Sequence, residues 1–203
     1  RSSVIQSLRD AFSYVRRETV IMTFLIVSAI FNIFGRSYVT LLPVFAKDVL
    51  RLGASGFGFI SAGPGLGTII GSFTLASLGR VEAKPNRMVA ILFAFCACLF
   101  AFAVSVDARL AFGFLVLGGA LSTVFETLLS TSIQLRVEEA FRGRVSGFYG
   151  LTGGGLREFG GIQAGFIAEW TSAPFAIAAG TVVLVIVGYQ FLGSRLKKAG
   201  RLE

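Results

Sequence analysis

Six apolar segments, arranged as two similar sets of three, constrain this chain more than any other feature. They cover residues 19–42, 55–79, 87–106, 110–134, 145–169 and 174–193. Each has about the 20 residues that a helix needs to cross the hydrocarbon core of a bilayer. In each set the first span carries a polar stripe, the second is rich in glycine, and the third is almost wholly apolar. Because three crossings invert the second set, we predict an all-α membrane protein of six transmembrane helices, built as two inverted three-helix repeats.

Basic residues are concentrated in the loops on one side of the predicted membrane. Most of the 19 Lys and Arg residues precede the first span, join the second to the third or the fourth to the fifth, or follow the last. The opposite loops hold only Lys47, Arg51 and Arg109. The positive-inside rule therefore predicts that both termini are cytoplasmic. The net charge of +8 then indicates the lipid bilayer as partner, and no nucleic acid.

The chain divides into three parts by composition. Residues 1–17 are predicted to form an amphipathic linker helix, either at the cytoplasmic surface or as a plain connection. Residues 18–193 form the six-helix transmembrane domain, and residues 194–203 form a basic cytoplasmic tail. Asn86 and Asp107 are suitable N-caps for the third and fourth spans. The chain does not begin with Met, so we expect it to be part of a longer protein.

Residues for metal or redox chemistry are scarce. The chain has no histidine, and its two cysteines are Cys96 and Cys98 in the third span. That spacing points the two thiols to different sides of a helix. We therefore expect no metal site, no cofactor and no enzyme activity.

Four ionisable residues fall inside the spans, where each costs roughly 2.5–3.5 kcal/mol at the middle of a helix. They are Arg36, Glu126, Arg157 and Glu158. Asn32 lies on the same polar stripe as Arg36, and Gln134 lies on the stripe of Glu126. These six residues are the candidates for a substrate or proton pathway.

The ionisable residues also have structural explanations. Arg36 lies towards the outer end of the predicted first span, where it could snorkel to water. Glu126 could be a neutral carboxyl group bonded to a neighbouring helix, or a proton carrier whose desolvation favours exchange near neutral pH. Arg157 and Glu158 point about 100° apart on a helix. We expect them to find separate partners on other helices or in water, with Glu158 pressed near a neighbouring helix.

Glycine marks the second and fifth spans. Gly63, Gly67 and Gly71 recur at i+4 spacing, and Gly161 and Gly165 repeat that spacing in the fifth span. Such rows let a neighbouring helix approach closely. Pro64 removes a backbone hydrogen bond and predicts a kink. We predict packing surfaces here, with a hinge as the alternative interpretation.

Arginine is also clustered in two loops on the predicted cytoplasmic side. Arg80 follows the second span, and Arg142 and Arg144 precede the fifth. Exchange of salt bridges with Glu138 and Glu139 could hold a cytoplasmic gate closed. Alternatively, these are solvated loops that set the topology.

Four segments resemble the major facilitator superfamily, in particular its bacterial exporters of drugs and siderophores of the enterobactin type. They are GRSYVTLLPVFAKDVL at residues 35–50, GPGLG at 63–67, the stretch 131–145, and RDAFSYVRR at 9–17. The resemblance implies the C-terminal six helices of a twelve-helix transporter in the bacterial inner membrane. It also implies that the N-terminal six-helix half is a partner and that the substrate is a small molecule.

Two functions remain open from the sequence. The first is a secondary active transporter that exports small amphipathic molecules by alternating access, with proton coupling as an option. The second is a non-transporting membrane scaffold or subunit that retains the transporter fold. A scaffold would tolerate apolar replacements along the polar stripes, whereas a transporter would not.

The distribution of basic loops yields a test of topology. Single cysteines placed at Ser55 and Ser172 are expected to react with a membrane-impermeant reagent added from outside the cell, because the loops there are poor in arginine and lysine. Labelling only from the cytoplasmic side would overturn the orientation.

Overall fold

The computed structural model describes residues 4–79 and 84–190, and within these ranges the regular structure is helical throughout. Five described helices are long and apolar enough to cross a membrane. They are Thr19–Val49, Ser55–Leu78, Pro85–Ala103, Ala108–Arg136 and Ala173–Gln190, which form the first, second, third, fourth and sixth spans. A further helix, α1 (Val4–Arg17), precedes the first span. The predicted basic tail at 194–203 lies outside the described residues, as does Arg80.

The fifth span consists of two helices instead of the continuous segment predicted for residues 145–169. Its first half is Arg142–Gly153 and its second half is Gly155–Trp170, with a turn at Gly154 between them. Three successive glycines surround this break, and glycine is the residue with the largest backbone entropy to lose in a helix. The interruption therefore follows from the local sequence, although hydrophobicity alone had hidden it.

The first span is longer than its apolar run. The prediction ended it at residue 42, but the helix continues through Pro43 to Val49, with π-helical turns at Phe31–Gly35 and Phe45–Val49. Arg36 consequently lies near the middle of this longer helix, while its depth in the membrane stays a prediction. The helix can outlast the apolar run because helical turns outside the hydrocarbon do not need apolar side chains, and Lys47 is a good helix former.

The two sets of three helices make equivalent contacts with each other. The first span packs against the fifth, and the fourth packs against the second. The third and sixth spans pack against each other, and each also contacts the first helix of the opposite set. Repeats related by a twofold axis produce this reciprocal pairing. The all-α membrane fold predicted from the sequence is confirmed.

Aromatic side chains fill the centre between the first, third and fourth spans. The ring of Phe31 lies 5.0 Å from that of Phe95 and 4.8 Å from that of Phe125, measured between centroids. Nearer the far end of the first span, Phe45 packs on Phe102 at 4.3 Å. These buried contacts fix the rotation of the first span, and with it the direction of its polar side chains.

Glycines bring the second and fourth spans into backbone contact. A β-carbon at Gly67 would collide with the carbonyl oxygen of Val116, and one at Gly71 would lie 2.6 Å from that of Ala120. A β-carbon at Gly63 would lie 3.0 Å from Leu115. From the other side, a β-carbon at Gly119 would lie 2.5 Å from the oxygen of Pro64.

The remaining faces of the second span are open, and it is the least buried of the five long spans. The third and sixth spans are more buried than the second within this chain. Both have a buried side, because each packs against the other and against a first helix.

Loop chemistry sets the ends of the spans. The Asp107 carboxylate accepts hydrogen bonds from the backbone N–H groups of Arg109 and Leu110, at 2.8 and 3.0 Å, and caps the fourth span. The bonds from Leu110 and then Arg109 hold the pKa of Asp107 below its ordinary value. The third span begins at Pro85 after Lys84, one residue before the predicted cap Asn86. Gly79 ends the second span with a positive φ of 65°, a conformation that glycine adopts at little cost.

Gly67→Ala is expected to lower the stability of the purified protein by about 1–3 kcal/mol, because the new methyl group overlaps a backbone atom that cannot move freely. Thermal unfolding in detergent measures the effect. Gly65→Ala on the same helix is the matched control, since a β-carbon there meets nothing within 4 Å. Equal loss of stability in both variants would contradict the assignment of a packing surface.

Candidate functional site

An ion pair joins the first helix of one repeat to the first helix of the other. Nη1 of Arg36 lies 3.2 Å from Oε2 of Glu126, and their side chains are 25% and 29% exposed. The two residues are 90 positions apart in the chain. A pair that is only partly buried stays within reach of water, a proton or a substrate, so its state can change during a functional cycle.

The turn beside Arg36 determines where its side chain points. The five residues Phe31–Gly35 form a π-helical turn directly before it. A π-turn adds a residue to the helix and shifts the phase of the side chains that follow. The even i+4 stripe predicted for the first span is therefore broken between Asn32 and Arg36.

Asn32 consequently does not line the same space as Arg36. Its side chain is only 4% exposed, and its amide nitrogen donates to the backbone oxygen of Ser28 at 2.9 Å. The prediction that Asn32 lines a cavity is contradicted by this burial. Its bond to its own helix instead satisfies a polar group in the interior.

The fifth span contacts this region through hydroxyl groups that the sequence pattern does not single out. Tyr149 donates from its hydroxyl to the backbone oxygen of Glu126 at 3.2 Å. Thr152 and Ser28 share a hydrogen bond of 2.7 Å between their hydroxyl oxygens. The available signal was Thr152, a threonine directly before the glycine run. Both residues belong to the half of the fifth span before Gly154.

Gln134 lies away from the ion pair. It is exposed and eight residues beyond Glu126 on the fourth span, which is about 12 Å along a helix. The structure thus brings together Arg36 and Glu126, and leaves Gln134 nearer to the end of the span.

Arg157 and Glu158 contact each other on the outer surface of the chain. Nη2 of Arg157 lies 3.4 Å from Oε1 of Glu158, and the side chains are 46% and 74% exposed. The prediction of separate partners, and that of a Glu158 pressed against a neighbouring helix, are both wrong. Neighbouring residues on a helix point about 100° apart. Their side chains are nevertheless long and flexible enough here to bend towards each other and form an ion pair.

The glycines beside this pair have different surroundings. A β-carbon at Gly160 would collide with the carbonyl oxygen of Ile33, and one at Gly161 would lie 2.6 Å from the Thr40 hydroxyl oxygen. These two glycines hold the fifth span against the first. A β-carbon at Gly165 would meet nothing within 4 Å, so Gly165 makes no close packing contact within the described part of this chain.

The arginines before the fifth span lie at its exposed start. Arg142 and Arg144 are both exposed. The guanidinium carbon of Arg144 lies 5.8 Å from the ring centroid of Phe141, within the range of a cation–π contact. The third gate candidate, Arg80, is not among the described residues.

Neither of two cavities between the described helices is lined by the ion pair. One of about 470 Å³ lies between α1, the first span and the fifth. A smaller one of about 90 Å³ lies between the first, fifth and sixth spans. The described residues contain no group of three His, Cys, Asp or Glu side chains that could hold a metal ion.

Comparison with protein families decides the class of this membrane protein. The family model of transmembrane secretion effectors matches residues 1–203. The chain belongs to this family. The transmembrane secretion effectors are of the major facilitator type, so the chain is a transporter-like, multi-pass protein of the lipid bilayer. None of the curated proteins and none of the solved structures compared with it matches.

Replacing one member of the Arg36–Glu126 pair is expected to destabilise the protein more than replacing both. A single Leu substitution leaves an unpaired charge between helices, whereas the double variant removes both charges. We expect a coupling energy of about 1–2 kcal/mol from the double-mutant cycle, measured by unfolding in detergent. The Arg157–Glu158 pair is the control, where the greater exposure should give about 0.5 kcal/mol or less. Equal coupling in the two pairs would show that burial does not distinguish them.

Proposed function

We propose that this chain is the C-terminal half of a secondary active transporter that exports small amphipathic molecules, such as drugs or siderophores. The observation that carries the proposal is the Arg36–Glu126 ion pair. It joins the first helices of the two repeats, and these helices would have to change their separation when access alternates between the two sides of the membrane.

The ion pair offers a route for proton coupling. A proton and a hydrogen-bond donor of a substrate would compete for the Glu126 carboxylate. A substrate that occupies the carboxylate on the cytoplasmic side excludes the proton, and a proton that arrives from the outer side displaces the substrate and weakens the attraction to Arg36. Proton and substrate thus compete through one contact, which links their movements in opposite directions.

The exposed charges of the fifth span support a partner for this half. Arg157 and Glu158 lie near the middle of the span formed by Arg142–Gly153 and Gly155–Trp170, yet both are open to the outside of the chain. Charged groups at that depth are costly against lipid. An N-terminal six-helix half, with a water-filled cavity between the halves, would cover them. Glu158 is then a second candidate for carrying the proton.

The charge distribution supports the orientation of the transporter. We place the protein in the bacterial inner membrane with both termini in the cytoplasm, because the arginine-rich loops flank the same ends of the spans. The exposed Arg142 and Arg144, with Arg80 of the preceding repeat, would then line the cytoplasmic entrance. There they can take part in a gate.

In the complete transporter, Glu126→Gln is expected to abolish export driven by a pH gradient while substrate binding and folding persist. Glutamine keeps the size and hydrogen-bonding capacity of the side chain but cannot exchange the proton. Export from loaded vesicles and substrate binding in detergent are measured on the same preparation. Glu169→Gln, at the exposed end of the fifth span, is the neutral control, and Glu158→Gln tests the second candidate.

Unchanged gradient-driven export by Glu126→Gln would remove this residue from the coupling mechanism. If Glu158→Gln then abolished export, the proton would be carried on the fifth span. A non-transporting scaffold would instead show no gradient-driven movement of any drug or siderophore in the unmodified protein.

A further inference from the structure

Helix α1 is held in place by contacts with the loop before the fifth span. The ring of Tyr14 stacks on Phe141 with 4.4 Å between centroids and an angle of 7° between planes. The Tyr14 hydroxyl accepts a hydrogen bond from the backbone N–H of Glu138 at 3.2 Å. Val15, on the same helix, is almost fully buried. The helix is therefore part of the folded domain. It forms one wall of a cavity that lies between α1, the first span and the fifth span.

That space is the cavity of about 470 Å³, which is open to the exterior. Its volume is within the range of about 300–1,000 Å³ that is typical of small-molecule sites. The wall includes Phe12 and Val15 of α1, Met22 and Leu25 of the first span, and Leu151 and Leu156 of the fifth.

The cavity has little capacity to bind a polar group. Its one hydroxyl-bearing residue is Thr152, whose oxygen is already bonded to Ser28 at 2.7 Å and to the backbone oxygen of Tyr149 at 2.7 Å. A group that enters must therefore be apolar, since a buried polar group without a partner is costly.

Positive charge flanks the cavity on α1. Arg9, Phe12 and Arg16 are three and four residues apart, so they lie on one face of the helix. All three are exposed, and Phe12 lines the cavity. Glu18, which follows the helix, falls on another face by the same spacing. The cavity thus combines an apolar interior with two guanidinium groups on the flanking face of α1.

We propose that this cavity binds an acyl chain of an anionic phospholipid, with the lipid phosphate between Arg9 and Arg16. The apolar wall matches the hydrocarbon chain, and the flanking arginines match the negative headgroup. A zwitterionic or uncharged lipid would satisfy only the first of these requirements. A lipid bound there would connect α1 to the first span and to the first half of the fifth, beside the Gly154 break. This inference does not depend on what the protein transports.

The test compares two lipids that carry the same acyl chains. Binding of phosphatidylglycerol and of phosphatidylcholine to the purified full chain is titrated by native mass spectrometry and by thermal unfolding in detergent. We expect phosphatidylglycerol to bind and to raise the unfolding temperature, and phosphatidylcholine to do so much less. Arg9→Gln and Arg16→Gln should each weaken phosphatidylglycerol binding about fivefold. Arg109→Gln, at the exposed start of the fourth span, is the control and should have no effect.

The cavity itself is tested by filling it. Ala29→Phe places a ring in the space that Ala29 lines and should abolish phosphatidylglycerol binding. Ala97→Phe, on the exposed side of the third span, is the matched control. If either cavity variant fails to fold, a diazirine in the acyl chain of phosphatidylglycerol gives a second measurement on the unmodified protein. Cross-links to α1 and to residues 148–156 are then expected.

Five outcomes would overturn the proposal. The two lipids could bind equally, or Arg109→Gln could weaken binding as much as the α1 variants. Binding that survives Ala29→Phe, or cross-links confined to other spans, would place the lipid elsewhere. A cavity that takes an uncharged amphipathic dye but no phosphatidylglycerol would belong to a different ligand.

Discussion

Close contact between glycine and a facing backbone carbonyl is the interaction on which the helix arrangement depends. Gly67 of the second span abuts Val116 of the fourth, and Gly160 of the fifth span abuts Ile33 of the first. In a bilayer, neighbouring helices gain nothing from leaving water, so packing at short distance must hold them together. The same contact recurs in both repeats and couples the second helix of each set to the first helix of the other. The positions of Arg36 and Glu126 follow from that coupling.

The sequence was sufficient for the features that depend on local pattern. The apolar spans, the helical class, the membrane and the N-cap at Asp107 each follow from residues that are adjacent or one helical turn apart. The partner of Glu126 was beyond such reasoning, because Arg36 lies 90 residues away and reaches it only after two repeats have packed. The burial of Asn32 was unexpected for a different reason. The π-helical turn at Phe31–Gly35 changes the directions of the side chains around it. The residue types in that segment do not indicate such a turn.

The two halves of the fifth span are attached to the rest of the protein by different interactions. Its first half is bonded through Tyr149 and Thr152 to the fourth and first spans, whereas its second half is held by the close contacts of Gly160 and Gly161. Hydrogen bonds between hydroxyl groups can be exchanged for water, while backbone contacts at glycine require intact packing. The glycine run between the two halves permits their directions to differ. A hinge at Gly154 is consistent with this division, although the spacing of glycines alone could not separate hinge from packing.

The cost of keeping charges inside a membrane separates the two ion pairs by role. The Arg36–Glu126 pair is mostly enclosed and connects the two repeats, so its energy depends on how those repeats are arranged. The Arg157–Glu158 pair lies on neighbouring residues of one helix, so its formation does not depend on how the two repeats are packed. Only the first pair can therefore respond to a movement between repeats and, by reciprocity, influence that movement when Glu126 gains or loses a proton. Its partial exposure permits that response, because a fully buried pair would be too costly to separate.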